Sequence, residues 1–347
     1  MASFVVCPAQ QEVAADNAVS VPAPPKARVV AIEHSLASET FVPQSRFVRE
    51  MVSEGLKSFG KKERETAVWN SLFRPADIVG IKVFSAPGEI IGTRPVVVEA
   101  IVESMLQAGI AKERIIVWDK YLHDLRRAGF QRLEQRFGIR LRSSVLAKWD
   151  ANASYENSVI GKPIWGDHEF GLKGDDVGRK SYFSRLVTKE ITKHVIVSPL
   201  LNHNIAGVSG NLLSLGIGSV DNSIRFENRY GVMAEAVPEI VAQEYLIDRL
   251  ALVVVDALIS QYQGEEGNLL HYAKVMNQLR FSTDPVALDV MSLADLERQR
   301  KAAGLPVRAV SRTLYENAEL LQLGVSNPKR IVIEHRDIGP ELPEPPR

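Results

Sequence analysis

Short apolar runs alternate along this chain with stretches of helical spacing, and that alternation predicts an α/β protein. Arg28–Glu33 (RVVAIE) reads as a strand ending at His34. Gln44–Phe59 follows with Phe47, Val48, Met51, Val52 and Leu56 at helical spacing and Gly60 at its end, and Arg64–Phe73 reads as a second helix. Asp77–Phe84 is a buried strand, bounded by Pro75 and by Pro87-Gly88. Thr93-Arg94-Pro95 opens a helix whose apolar pattern runs from Val96 to Ala108, and Arg114–Asp119 is the next strand. A β-α-β order of this kind implies a parallel sheet with a right-handed crossover.

The pattern resumes in the second half. His194–Leu200 is apolar and β-branched, with Pro199 expected to stop it and a loop to follow. Tyr230–Arg249 is an amphipathic helix on Val232, Met233, Val237, Ile240, Val241 and Leu246. Leu250–Ala257 and Val275–Ser282 are strands, Pro285–Arg300 a helix with Asp284 suited to its cap, Tyr315–Leu323 a short helix and Arg330–Glu334 a closing strand. The fold class read from this is α/β: a mostly parallel central sheet flanked by helices, two-lobed with a cleft, in which the Asp77, Arg114, Lys193 and Leu250 strands lie adjacent. The divisions are an extended or disordered arm (1–27), an N-terminal α/β lobe (28–150), an excursion (151–192), a C-terminal α/β lobe (193–336) and a tail (337–347). The excursion carries Trp165, Asp167, His168, Gly171, Gly174 and Gly178 in a polar setting, with a lid and an oligomer contact as alternatives. Asp167 and His168 read as solvated loop residues, with metal ligation by His168 beside Asp167 as the alternative.

Composition narrows the function. The 347 residues are 45% hydrophobic and 24% charged, with 42 basic and 42 acidic residues, as in a soluble globular protein whose main partner is not nucleic acid. Lys61–Glu65 and Arg126-Arg127 read as solvated faces. Cys7 is the only cysteine, which excludes a disulfide framework and an all-cysteine zinc or iron–sulfur site. No apolar run is long enough for a membrane span. The low-charge start with VPAPP at 21–25 carries the expectation of an exported protein, periplasmic or secreted, whose leader has been removed; a cytoplasmic protein is the alternative.

The chemistry concentrates in Lys193–Tyr230. His203 lies between Asn202 and Asn204, followed by Gly207, Gly210, Gly216 and Gly218 interleaved with Ser209, Asn211, Ser214, Ser219 and Asn222, then Arg225, Glu227 and Arg229. Glycines let backbone N–H groups approach a ligand, and small polar residues add donors without bulk. Other polar groups end strands, where ligands sit in open parallel sheets: Lys82, then Asp119, Lys120 and His123, then Asp256, then Asp284. Asp289 lies one turn into the last long helix and is expected to point into the site. Lys82, Asp119, His203, Asn211, Arg225, Asp256 and Asp289 should therefore line one cleft.

The run H-N-x-A-G-V-S-G at 203–210, with VGIKVF at 79–84, IIVWDK at 115–120, VVVDA at 253–257 and STDPVALD at 282–289, resembles the DUF362 family of uncharacterised proteins, in particular the subgroup often made with a twin-arginine export signal. The likeness runs from Arg28 to about Arg336. Lys82, His203, Gly207, Asp256, Asp284 and Asp289 stand where that pattern expects them, whereas Leu201, Leu213, Ser214 and Phe84 replace the usual Lys, Lys, Asn and Asn. The order His, A-G-x-S-G, then a position ten residues after the His is also similar to the loop of nickel-pincer lactate racemases. Leu213 occupies that tenth position, where the racemases carry a lysine, so this likeness implies the two-lobed plan and argues against a pincer cofactor.

These readings together point to an enzyme doing acid/base chemistry, of isomerase, elimination or lyase type, on a small to medium organic substrate. In it His203 is general acid/base or metal ligand, Lys82 holds an anionic group, and Asp256 or Asp289 orients a partner. Asn202, Asn204, Ser209, Asn211, Asn222, Arg225, Asp119, Leu201 and Leu213 line the substrate. Leu201 and Leu213 suggest a more apolar ligand, for which Lys82 and Arg225 are the remaining cations. A divalent metal, where bound, would use His203 with carboxylate oxygens and water. No G-x-G-x-x-G, P-loop or G-x-S-x-G pattern occurs, so no nucleotide signature and no nucleophile elbow are read. The alternative is a non-catalytic ligand- or metal-binding protein with a degenerate site. The oligomeric state is left open, with a homodimer among the options.

Overall fold

The computed structural model describes residues 26–171, 178–227, 229–306 and 312–340. The arm with Cys7 up to residue 25, Gly174 in the excursion and the tail beyond residue 340 lie outside the described residues. Thirteen strands are present among the described residues: β1 (Ala27–Glu33), β2 (Ser38–Glu39), β3 (Val42–Pro43), β4 (Val79–Val83), β5 (Ile115–Asp119), β6 (Arg140–Ser143), β7 (Trp149–Glu156), β8 (Lys180–Ser184), β9 (Lys193–His203), β10 (Gly207–Val208), β11 (Leu250–Gln261), β12 (Ala273–Ser282) and β13 (Ile331–Asp337). Nine of them form one sheet in the order β13-β1-β12-β11-β9-β4-β5-β6, with β10 attached to β9. Along that order only β12 runs antiparallel to its neighbours.

The expected neighbours are adjacent: β11, β9, β4 and β5 lie side by side and parallel. Their sequences explain this, because a parallel strand covered on both faces needs apolar side chains at successive positions. Ile115 and Val117 enter one core with Val195, Val197, Leu252 and Val254; Ile116 and Trp118 enter the other with Ile196, Val253 and Val255. Helices Ser45–Gly60 and Pro95–Gln107 cover the first face through Val48, Met51, Val52, Leu56, Val98 and Ile101. Asn211–Ser219, Tyr230–Val241, Pro285–Ala302 and Thr313–Leu320 cover the second.

β1, from the 28–150 stretch, lies between β12 and β13 of the 193–336 stretch, so one sheet runs through both of the expected lobes. Two expectations about the central stretch are corrected. Pro199 does not end its strand: β9 runs on to His203, because β4 stops pairing at Val83 opposite Val197 and only β11 still pairs at Pro199, opposite Asp256. The residues after His203 are not a long loop either. A tight turn at Gly207 (φ +86°) leads into β10, and Asn211–Ser219 is helical, because Leu212, Leu213 and Leu215 bury themselves in the core. In the excursion, β7 and β8 pair antiparallel.

Candidate functional site

Strands β4, β5 and β6 progress to one side of the sheet, whereas β9 returns to the other side of β4 and β11 follows it. A crevice opens at such a switch point, beyond the carboxyl ends of the strands. A cavity of about 990 Å³ lies there, walled by Phe84 and Ala86 after β4, Asp119 to Tyr121, His123 and Asp124 at and after the end of β5, His203 to Ile205 after β9, and Gly264 to Gly267 after β11. The helix that follows β10 contributes Leu213, Ser214, Ile217 and Gly218, and the segment after it Asn222, Ser223, Ile224 and Glu227.

His203 is held by its own turn. Its Nδ1 accepts the backbone N–H groups of Ile205 (3.2 Å) and Ala206 (3.1 Å), so that nitrogen carries no proton. Burial lowers the pKa of the ring, against the opposing pull of Glu265 and Glu227, and favours the neutral form. The tautomer assigned by these bonds has its proton on Nε2, which can donate a hydrogen bond but cannot accept a proton. Ligation of a metal through Nε2 would require the proton on Nδ1, where the two N–H groups point. Of the roles expected for His203, general acid/base or metal ligand, this geometry favours that of a neutral hydrogen-bond donor through Nε2. Among the described residues no group of three or more His, Cys, Asp or Glu is gathered to hold a metal ion.

Lys82 is wholly buried beneath the cavity floor. Its Nζ donates to Asp119 Oδ1 (2.8 Å), Ser214 Oγ (2.8 Å) and the Val83 carbonyl (2.7 Å), which uses all three protons. Burial lowers its pKa, and Asp119 opposes that effect. Asp119 also accepts Ser85 N and Oγ and its own neighbour Lys120 N. Lys82 therefore holds Asp119, not an anionic ligand.

The other expected site residues mostly build structure. Asp256 is buried and takes the Arg94 guanidinium (2.9 Å) and backbone N–H (3.1 Å) on the far side of β9. Asp289 points away from the cavity to the N-terminus of helix Asn211–Ser219, accepting Asn211 N (2.7 Å), Asn211 Nδ2 (2.8 Å) and Leu212 N (3.0 Å). Gly210 makes this approach feasible, since a Cβ there would lie 2.0 Å from Asp289 Oδ1. Burial pushes Asp289 up to about 7, while those three donors pull it down. Asn211 is spent on this cap and on Ser198, and Asp284 caps helix Pro285–Ala302 through Ala287 N (2.8 Å), as its position before Pro285 suggested.

Arg225 is buried and binds Ser181 Oγ (2.9 Å), Asn157 Oδ1 and the carbonyls of Val159 (3.0 Å) and Tyr155 (3.1 Å). It pins the excursion and offers no charge to a ligand. Ser209 bonds the Asn202 carbonyl, and Leu201 is buried within β9. Of the set expected to converge, Asp119 and His203 line the cavity, joined by Asn204, Leu213 and Asn222. Asn202 instead faces a second, smaller cavity of about 470 Å³, which His203 also borders. In the excursion, Asp167 Oδ1 accepts Asn222 N (3.2 Å) and His168 packs on Tyr182 at 4.5 Å.

The residues missed by sequence reasoning are Tyr121, Asp124, Arg127, Glu265 and Glu266. Asp124 is 7% exposed and pairs with Arg127 (3.0 Å); burial raises its pKa, while His123 and Arg127 oppose this. Glu266 keeps much of its surface in solvent, yet partial burial, and after it the carboxylates of Asp124, Glu265, Asp119 and Glu227, raise its pKa. The only signal for the pair at 265–266 was its setting between Gly264 and Gly267, which reads as a turn.

No family model matches the chain, and no curated protein matches it. A crystal structure of a Thermotoga maritima protein, solved as a structural genomics target, is similar to it over 78% of this chain and 61% of that one, at 12% identity and a TM-score of 0.41. The chain thus spans less than two thirds of that protein's length.

Proposed function

We propose that this chain is an enzyme of isomerase or lyase type that moves a proton on a small to medium organic substrate in the cavity at the carboxyl ends of β4, β5 and β9. The observation that carries the reading is that two carboxyl groups with raised pKa, Asp124 and Glu266, share this cavity with a neutral histidine whose Nε2–H has no acceptor among the described residues. Raising the pKa of a carboxyl strengthens its conjugate base as a proton acceptor, and a neutral imidazole polarises a carbonyl by donating to it. Asp124 and Glu266 are the proton-transferring groups in this proposal, His203 the donor, and Lys82 a positioning residue acting through Asp119.

Membership of the DUF362 family is part of the same proposal. Its support is that the five stretches carrying the resemblance fall at β4, β5, the β9–β10 turn, β11 and the junction of β12 with the next helix, the ends that organise one sheet. The test is solvent deuterium incorporation: carbonyl compounds with exchangeable α-protons are incubated with the protein in D2O and followed by NMR. Incorporation should fall by at least about a hundredfold in Asp124→Asn or Glu266→Gln, the size of a general acid–base contribution. Its acid limb should lie above the ordinary carboxylate range of about 4, because both pKa values are raised. A second reading, a non-catalytic binder, is favoured by the complete engagement of Lys82; ligand-dependent stabilisation without incorporation for the same compounds would select it.

A further inference from the structure

The smaller cavity, of about 470 Å³, takes no part in the proposed proton transfer. Its wall is largely apolar, with Tyr262, Leu293, Leu296 and Leu305. Asn202, near the end of β9, lines this cavity and not the larger one. It is 4% exposed, and the surface it retains lies here. Its Oδ1 accepts Glu265 N (3.1 Å), which assigns the two ends of the amide, and its Nδ2 donates to no group among the described residues. The backbone of Asn202 is otherwise engaged, its carbonyl taking Ser209 Oγ at 3.3 Å and the residue pairing with Val208 of β10. A nearly buried amide donor is thus presented to an apolar cavity without an acceptor, and buried donors are rarely left so.

The charges on the same wall are mostly of one sign. Arg298, Arg300, Lys301 and Arg312 line it, with Glu297 as the acidic lining residue among those described. Arg298 pairs with Asp295, and Arg312 lies 3.7 Å from Glu297. Arg300 is buried and donates to Gln263 Oε1 (2.9 Å) and the carbonyls of Tyr262 (3.3 Å) and Pro306 (3.0 Å). Lys301, exposed in the last turn of helix Pro285–Ala302, has no carboxylate in ion-pair contact among the described residues.

We infer that this cavity is a second binding site, for an apolar carboxylate whose head group accepts the Asn202 amide and whose hydrocarbon lies on Tyr262, Leu293 and Leu296. A carboxylate supplies the missing acceptor and the sign of charge that the cations of the helix favour. An amine would meet those cations and a second donor. Water would serve the amide but not the leucines beside it, and the volume suits a small organic molecule. Glu265 does not compete for the place, because its Oε1 accepts Asn204 N (2.6 Å) on the wall of the larger cavity. The inference stands apart from the proposed function, whose groups Asp124 and Glu266 line the other cavity.

The experiment uses three probes of one length, octanoate, octanol and octylamine, by calorimetry and thermal shift on the whole chain. Octanoate should bind in the millimolar range or tighter and ahead of the other two. Asn202→Asp keeps the oxygen that accepts Glu265 N but replaces the donor by an anionic oxygen, and should weaken octanoate at least about tenfold. Ala294→Trp, at a half-buried lining position, fills the cavity and should abolish binding. Lys301→Gln, exposed and harmless to folding, should weaken octanoate roughly two- to fivefold. Asp124→Asn, in the larger cavity, should leave octanoate affinity unchanged. Unfolding temperatures without probe establish which variants are folded. Octanol or octylamine binding as well as octanoate, octanoate binding unaltered in Lys301→Gln and in every other folded cavity variant, or no binding of octanoate at millimolar concentration would each overturn the inference.

Discussion

Lys82 illustrates how a residue that looks chemical in sequence becomes structural through its partners. A lysine late in a parallel strand is well placed to meet a ligand, but here the Asp119 carboxylate, Ser214 and the Val83 carbonyl take every donor. Removing one member of a buried pair costs more than the pair contributes, because the survivor keeps its desolvation penalty without its countercharge. Lys82→Met should destabilise the fold by about 3 kcal/mol in urea unfolding, and adding Asp119→Asn should recover part of that loss. His203 makes the complementary point. The residue type was legible as special, but the role was decided by two backbone N–H groups of the following turn, which no spacing rule reveals.

At the scale of elements, Asp289 and Arg225 each tie one segment to another. Asp289, on helix Pro285–Ala302, caps the N-terminus of helix Asn211–Ser219, where a carboxylate meets unpaired N–H groups and the positive end of the helix. Asp289→Ala should cost about 2 kcal/mol in equilibrium unfolding, and Asp289→Asn less, since its carbonyl still accepts. Arg225 joins the short helix Ile224–Glu227 to β8 and the end of β7. In Arg225→Ala, hydrogen exchange should accelerate at residues 155–159 and 180–182 while β4, β5 and β9 stay protected; uniform acceleration would mean that the excursion and the sheet open as one unit.

For the whole molecule, His194 supplies the clearest pH signature. It is fully buried, with Nε2 at 3.1 Å from the Tyr245 carbonyl and Nδ1 without a partner among the described residues, and burial lowers its pKa to about 4. Between the unfolded value of about 6.5 and that value, the unfolded chain binds a proton that the folded chain does not, so stability from this residue is full above the window and is lost as pH falls through it. Asp221 and Asp289, both raised to about 7, act with the opposite sign, adding stability as pH falls from neutrality toward the ordinary carboxylate range. The readout is therefore a difference: the stability advantage of the native chain over His194→Gln should shrink by about 3 kcal/mol between pH 6.5 and 4. The sequence by itself determined the α/β class, the adjacency of four parallel strands and the positions of the four longest helices, because those follow from local periodicity and from the need to bury both faces of a parallel sheet. It also marked His203 and Asp119. Only the tertiary structure decided that Lys82, Asp256, Asp289 and Arg225 are consumed internally while Asp124, Glu265 and Glu266 face the cavity, because hydrogen-bond satisfaction in a buried charge depends on which distant segments arrive beside it, and periodicity carries no record of that.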